Sequence, residues 1–277
     1  MSLFKVAALQ LTSLQDPDVN IKQIHSGVVS AAETGASLIA LPENFAYMGS
    51  EDEKMGLAET ISGQVYSLFP QWAREYQIAI LAGGFPVRAE SGKVYNRSVL
   101  FSAEGEIVAE YDKIHLFDVA LSESETYMES RTVEAGRPVA VTVQLKLRDL
   151  QDQPFHLNTG LSVCYDLRFP ELYRKLADQG AELILIPAAF TRPTGEAHWE
   201  TLLRARAIEN SLFVIAPAQT GIHTTSRSTY GHSMIIDPWG EVLARADTVP
   251  GLITATIETD QISEIRRKLP SFYHRRL

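Results

Sequence analysis

One cysteine stands in 277 residues, which excludes any intramolecular disulfide. Nothing therefore points to an oxidising compartment, and the expectation is a soluble protein of the cytoplasm. Long apolar runs are missing as well, since no stretch approaches the ~18 residues that a membrane helix needs. The N-terminal "MSLFKVAALQL" has too short an apolar core, and no small-residue cleavage pattern, to read as a signal peptide. Positive charge is scarce: 25 Lys and Arg face 34 Asp and Glu, for a net charge of −9. That balance disfavours a general nucleic-acid surface, which needs clustered cations to neutralise phosphates. One basic cluster exists, at Arg266, Arg267, Lys268, His274, Arg275 and Arg276, and it reads as a solvated helix end plus tail. Histidines at metal-binding spacing are absent, and one cysteine cannot build a Cys-rich zinc site, so no metal is expected. The chain also has no G-x-S-x-G elbow, P-loop or G-x-G-x-x-G, which removes the signatures of serine hydrolases, NTPases and dinucleotide binders.

What is present is a regular alternation of short apolar strands and amphipathic helices, in a chain with 45% hydrophobic residues. Strands are expected at 4–11, 38–43, 78–87, 138–145, 158–164, 183–189, 212–219 and 252–257. Helices are expected at 19–34, 62–77, 170–179, 195–211 and 259–268, with hairpins turning at Glu104-Gly105 and within 230–246. No low-complexity linker interrupts this, so the expectation is one domain over 1–277 with a tail from about residue 269. An internal echo stands out. "TGASLIALPENF" (34–45) and "QGAELILIPAAF" (179–190) share a helix end at Gly, an apolar strand, a Pro and a Phe three residues later. Any helix–Gly–strand unit reads in a similar way. If the echo is a duplication, it implies two similar halves, each a sheet with helices on one face. Packed together, these make an α/β fold in four layers, an α-β-β-α sandwich.

Ligands in open α/β sheets sit beyond the carboxyl ends of the strands. Glu43 follows "LIALP" there, Lys113 ends "IVAEYD", and Cys164 closes "LSVC". Each has an ordinary explanation. A buried cysteine usually serves as a small apolar side chain. A Glu after a strand is commonly solvated, and Lys113 could pair at the surface with Asp112. The helix expected at Phe169-Pro170 would bring its positive end toward Cys164 and lower the thiol pKa.

Taken together, "LPENF" around Glu43, "YDKIHLFD" around Lys113 and "VCYDLRFPELYR" around Cys164 resemble the signature segments of the nitrilase superfamily of carbon–nitrogen hydrolases. The resemblance extends over "GEAHWETLLRARAIENSLFVIAPAQTG" and essentially the whole chain. It implies the same sandwich and an enzyme that attacks an amide or nitrile carbon through Cys164. Glu43 would be the general base, with a pKa that the site must raise from its ordinary value to suit proton shuttling. Lys113 and the backbone N–H of Tyr165 would stabilise the oxyanion. A second glutamate would hold Lys113. "YMES" makes Glu129 the candidate, with Glu123, Glu125 and Glu134 in the same polar region. Asp166 and Arg168 would hold the turn after the nucleophile through local hydrogen bonds and an ion pair. No metal or organic cofactor is implied.

The stretch "AQTGIHTTSRSTYGHSMIIDPWG" resembles the branch that includes deaminated-glutathione amidases rather than ω-amidases acting on 2-oxoglutaramate. An anionic amide needs cationic partners, for which Arg168, Arg192 and Arg227 are candidates. "DPWG" is expected to be a turn packed by Trp239, and Trp199, Leu202, Leu203 and Ala207 share one face of a packing helix. The resemblance further implies a homodimer or larger homo-oligomer. The tail "LPSFYHRRL", without an obvious place in a monomer core, agrees with that. A nitrilase, an N-carbamoyl amide hydrolase and a catalytically silent scaffold remain as alternatives.

Overall fold

The computed structural model describes residues 2–121, 126–225 and 227–276. The first run of elements is β1 (Leu3–Gln10), α1 (Pro17–Glu33), β2 (Ala36–Ala40), α2 (Glu51–Gly56), α3 (Ala58–Tyr76) and β3 (Ala79–Arg88). A hairpin follows, β4 (Val94–Phe101) and β5 (Ile107–Asp112), then a small one, β6 (Asp118–Ala120) and β7 (Thr126–Met128). The second run is β8 (Val141–Arg148), β9 (Pro154–Leu161), α4 (Pro170–Asp178), β10 (Leu183–Leu185), α5 (Arg192–Asn210) and β11 (Phe213–Ala216). Two hairpins succeed it, β12 (Thr220–Thr224) with β13 (Arg227–Tyr230), and β14 (Met234–Ile236) with β15 (Val242–Arg245). The last elements are β16 (Gly251–Glu258) and α6 (Asp260–Lys268).

The two large sheets each have six strands, in the orders β16-β1-β2-β3-β4-β5 and β8-β9-β10-β11-β14-β15. In both, the second to fourth strands are parallel and the outer ones antiparallel. The two orders therefore superimpose strand for strand, and β2 falls on β10. The echo between residues 34–45 and 179–190 is thus a structural repeat. The repeat does not place Glu43 and Cys164 at equivalent points. Glu43 follows β2, whereas Cys164 follows β9, the counterpart of β1, so the two residues end neighbouring strands of the repeat rather than equivalent ones.

Alternation along the strands builds the layers. Phe4, Val6 and Ala8 of β1 face the second sheet and share a core with Leu145, Leu157 and Leu161, while Ala7 and Leu9 face α1 and pack with Ile21, Ile24 and Val28. Phe4 meets Phe155 across the sheets at 4.9 Å between ring centroids. On the far side, Trp199, Leu203 and Ala207 of α5 are buried against the second sheet, with Leu202 half-buried beside them. The result is helices, sheet, sheet, helices, the four-layer α/β sandwich anticipated. Helix ends follow local chemistry: Asp16 caps α1 by accepting from the Asp18 and Val19 amides, and Gly35 ends that unit at φ +80°.

Three expectations change. Trp239 is 60% exposed, so it does not pack its turn; Asp237 holds that turn by accepting from the Trp239 and Glu241 amides. The tail has a place on its own chain: Phe272 packs against the core, Arg266 and Arg275 lie over its ring, and Arg275 pairs with Asp178. The strand list also grows: the small β6–β7 and β12–β13 hairpins lie where no strand was expected, the second between the expected strand 212–219 and the hairpin within 230–246. Among the described residues no helix is long and apolar enough to cross a membrane.

Candidate active site

Three chain segments converge beyond the carboxyl ends of β2, β5 and β9. Glu43 stands after β2, and its neighbour Asn44 takes a left-handed conformation (φ 57°) while its amide donates to Gly84 O at 2.7 Å. Lys113 follows β5 directly. Its amide donates to Asn96 O at 3.0 Å, and its side chain is only 2% exposed. Asp112 is not its partner, because Arg97 takes that carboxylate at 2.7 and 2.9 Å. Lys113 turns inward instead. Its Nζ donates to Glu43 Oε1 at 2.9 Å and to Glu129 Oε2 and Oε1 at 2.9 and 3.1 Å.

Glu129 follows β7, where the Phe117 amide also donates to it at 2.6 Å. Of the other glutamates in that region, Glu134 accepts from Ser91 and Tyr95 away from the cluster. Glu123 and Glu125 lie outside the described residues.

Cys164 opens a 3-10 turn (Cys164–Arg168) at φ 49°. For a residue with a Cβ this left-handed position costs of order 1–3 kcal/mol, strain of the kind that collects at functional sites. The surroundings hold the turn. The Cys164 amide donates to Pro187 O at 2.9 Å. Asp166, wholly buried, accepts from the Val163 amide at 2.8 Å, Tyr111 Oη at 2.6 Å, and the His115 amide and Nδ1 at 3.1 and 2.7 Å. Asp166 therefore has the structural role expected, but the side chains it hydrogen-bonds are Tyr111 and His115, not Arg168. Tyr165 is the second residue of the turn, and intrahelical bonding does not use an amide at that place.

The electrostatics correct two expectations. Burial pushes the Glu43 carboxyl upward, but the Lys113 charge and hydrogen bonds from Cys164, Lys113 and Asn96 outweigh it and hold the group below its usual value. Burial raises the Cys164 thiol well above its ordinary value, and the Glu43 charge adds to that; Lys113 and the Ala189 amide pull the other way without prevailing. The helix that was to lower this pKa begins only at Pro170, after the intervening turn. Burial lowers Lys113, but Glu129 and Glu43 more than reverse this and keep it firmly charged. The resting site is thus a protonated thiol that feels an ionised carboxylate, beside an ammonium.

Asn96 is a further member of the cluster. Its Nδ2 donates to Glu43 Oε1 at 2.8 Å and to Glu129 Oε1 at 3.1 Å, tying the two carboxylates together. Its sequence signal was indirect. "AGGF" places paired glycines in β3, and a Cβ on Gly84 would lie 2.1 Å from Asn96 Oδ1 and 3.1 Å from Glu43 Cγ. Glycine here allows close approach by the site.

A cavity of about 330 Å³ opens on Glu43, Lys113, Glu129 and Cys164. Tyr165, Arg168 and Arg227 also line it. Arg168 lies over the Phe190 and Tyr165 rings at 5.2 and 5.9 Å, and its Nη1 is 3.2 Å from His198 Nδ1. Arg192 does not reach this cavity: it is exposed at the start of α5 and borders a separate groove with Glu196 and Tyr230. As a substrate-binding candidate it is withdrawn, because the first turn of α5 points it to solvent. Among the described residues no group of His, Cys, Asp and Glu could hold a metal ion.

Comparison with known proteins gives a consistent result. Residues 5–267 match the family described as carbon–nitrogen hydrolase. A deaminated glutathione amidase of Synechocystis is 46% identical over 277 residues, covering 99% of both chains. The human deaminated glutathione amidase is 41% identical over 276 residues, 98% of this chain and 82% of that one. Among solved structures, the Caenorhabditis elegans NitFhit protein superimposes with a TM-score of 0.89 at 35% identity, over 100% of this chain and 66% of that chain. A Saccharomyces cerevisiae member of branch 10 of the nitrilase superfamily gives 0.84 at 27% identity, over 97% and 95%.

Proposed function

Since this chain belongs to the carbon–nitrogen hydrolase family of the nitrilase superfamily, we propose that it is an amidase that cleaves deaminated glutathione to 2-oxoglutarate and cysteinylglycine through a thioester on Cys164. The substrate follows from relatives at 46% and 41% identity that carry that name. The observation that carries the mechanism is that Cys164, Glu43 and Lys113 line one cavity, with Lys113 Nζ 2.9 Å from Glu43 Oε1.

A general base must be ionised while its target still holds its proton. Glu43, held below its usual pKa, and Cys164, held above its own, meet both conditions at neutral pH. Sγ attacks the amide carbon as Glu43 takes the thiol proton. The carbonyl oxygen becomes an oxyanion, stabilised by Lys113 Nζ and the Tyr165 N–H; one such donor contributes ~3 kcal/mol. Glu43 returns the proton to the departing nitrogen, the C–N bond breaks, and cysteinylglycine leaves. Water then attacks the thioester, Glu43 takes its proton, and the C–S bond breaks as the proton returns to sulfur. Glu129 and Asn96 hold Lys113 and Glu43 in place throughout. The scheme calls on no metal or organic cofactor.

We further read the chain as one catalytic domain with a tail from about residue 269, working in the cytoplasm as a homo-oligomer; its single cysteine is compatible with a reducing compartment. The test is incubation with deaminated glutathione and, separately, 2-oxoglutaramate, following release of 2-oxoglutarate. Faster turnover of the first is expected. Preference for the second makes the chain an ω-amidase, and activity surviving Cys164→Ala removes the thioester route.

A further inference from the structure

Glu43 and Cys164 follow strands of different sheets, so their spacing needs a tie between the two halves. Gln219 lies just past β11 and is wholly buried. Its Nε2 donates to Glu43 O at 3.1 Å and to Ser13 Oγ at 2.7 Å, and its Oε1 accepts from the Ser13 amide at 3.0 Å. Its own main-chain amide donates to Ala188 O at 2.9 Å. Burying a side-chain amide costs desolvation that an apolar side chain would not, and these bonds are what offset it.

The echo lays residues 34–45 on 179–190, which sets Glu43 on Ala188. Gln219 therefore takes the same carbonyl in each half, with its side chain in the first and its main chain in the second. The neighbours of Ala188 belong to the nucleophile. Pro187 O accepts from the Cys164 amide at 2.9 Å, and Ala189 lines the cavity with Cys164. A short run of bonds thus leads from Cys164 through Pro187, Ala188 and Gln219 to Glu43. The next amide, that of Thr220, donates to Leu11 O at 2.7 Å and anchors the same point to the chain just past β1.

We propose that Gln219 is a positioning residue for the amidase reaction: by holding the Glu43 main chain, it sets the separation of the general base from the nucleophile. This rests on the amidase assignment and adds to it a residue outside the reacting cluster on which the rate depends. Lys113 and Asn96 hold the Glu43 carboxylate from its own sheet, whereas Gln219 reaches Glu43 from the other. Proton transfer between Cys164 and Glu43 needs both halves in register, and a displacement of about 1 Å at such a contact costs on the order of a hundredfold in rate.

Steady-state kinetics on deaminated glutathione, beside alkylation of Cys164 by iodoacetamide, test this in the full chain. Gln219→Met keeps the length of the side chain and removes its polar atoms. It should lower kcat about 10- to 100-fold while KM changes by less than about threefold. It should also speed alkylation at neutral pH by at least about threefold, because a Glu43 drawn away from the thiol raises its pKa less. Ser13→Ala is the control for packing: it removes a partner of Gln219 and of Phe45 O but leaves the bond to Glu43. It should lower the thermal midpoint and leave kcat and alkylation within about twofold of wild type. Gln219→Asn, a methylene shorter, cannot span Ser13 and Glu43 together, and its kcat, expected to fall about 10-fold, decides the outcome where Gln219→Met does not fold. Wild-type kcat in a folded Gln219 variant, an unchanged alkylation rate, or an equal loss of kcat in Ser13→Ala each overturns the proposal. Because alkylation needs no turnover, its acceleration in a Gln219 variant of a chain inactive toward deaminated glutathione would sink the substrate assignment alone.

Discussion

Lys113 Nζ lies 2.9 Å from Glu43 Oε1, with side chains only 2% and 4% exposed. A buried pair of this kind is a weak source of stability, because desolvating both ions offsets their attraction. Its value is in setting protonation: it keeps Glu43 ionised beside a thiol that keeps its proton. The second carboxylate, Glu129, lets Lys113 stay charged while it also faces the cavity.

Glu43→Gln should lower kcat by roughly a thousandfold, since it keeps the shape and loses the proton acceptor. The same change removes a negative charge that helps to raise the Cys164 pKa. Its thiol should therefore ionise at lower pH, and iodoacetamide should alkylate Cys164 faster at neutral pH than in wild type. Slower alkylation in a folded variant would contradict the coupling described.

The pH profile of kcat/KM should be broad. Glu43 lies below 4.5 and must be ionised to act, so activity is lost only as pH falls through that low value. Cys164 lies above 9.0, so its proton is lost only on the alkaline side. Between roughly pH 6 and 8 the rate should be flat. A single ionisation near 7 controlling kcat/KM would assign the base to another group.

Gly84→Ala should damage the site more than the fold. Its Cβ would meet Asn96 Oδ1 at 2.1 Å and Glu43 Cγ at 3.1 Å, and Asn96 must move to admit it. Displacing the residue that ties Glu43 to Glu129 should lower kcat about 10- to 100-fold with little effect on KM. Steady-state kinetics beside a urea melt separate the two; the melt should show a loss of about 1–3 kcal/mol.

Asp166→Ala would leave the Val163 amide, Tyr111 hydroxyl and His115 ring without their acceptor. Buried donors stripped of a charged partner cost about 3–5 kcal/mol. Urea denaturation should show a loss of that size, and the turn presenting Cys164 should lose its geometry. Asp166→Asn should recover part of the stability, because its carbonyl still accepts.

Acid stability should depend on Glu51. Burial raises its pKa, but Lys54 and Arg227 overcome this and bring it down to about 2. A carboxyl depressed in the folded state stabilises above its unfolded value near 4.5 and loses that contribution as pH falls toward 2. Glu51→Gln should therefore flatten the fall in the thermal midpoint between those limits, with an effect of at most ~3 kcal/mol. An unchanged slope would show that the depression is absent.

Local sequence carried a large part of this molecule. Period-two apolar runs located the main strands, because a half-buried pleat demands that alternation. The echo at 34–45 and 179–190 anticipated the repeat, since each half must bury the same kinds of face. Glu43, Lys113 and Cys164 stood out at strand ends, where turns open on a common crevice. Each had an ordinary explanation until their three segments together resembled the nitrilase superfamily. Asn96 did not stand out, because an asparagine within a strand shows no periodicity that separates a site residue from a solvated one. The β6–β7 and β12–β13 hairpins escaped for a related reason: short polar strands carry almost no apolar pattern.

Sequence alone thus located the main strands and helices and pointed, through its internal echo, to the layered α/β architecture. The central three residues were expected from the resemblance of their segments to the nitrilase superfamily. The elements and layers follow from burial patterns read along the chain, and the three residues from motifs matched together. Only the tertiary structure decided their protonation, which depends on distances between segments far apart in sequence: Lys113 beside Glu43 lowers one pKa, and Glu43 beside Cys164 raises the other. It also decided which arginine faces the cavity. Arg192 and Arg227 look alike as letters, but one begins an exposed helix turn and the other is drawn inward by Glu51. Charge is a property of residues, whereas its consequence belongs to the three-dimensional neighbourhood that folding assembles.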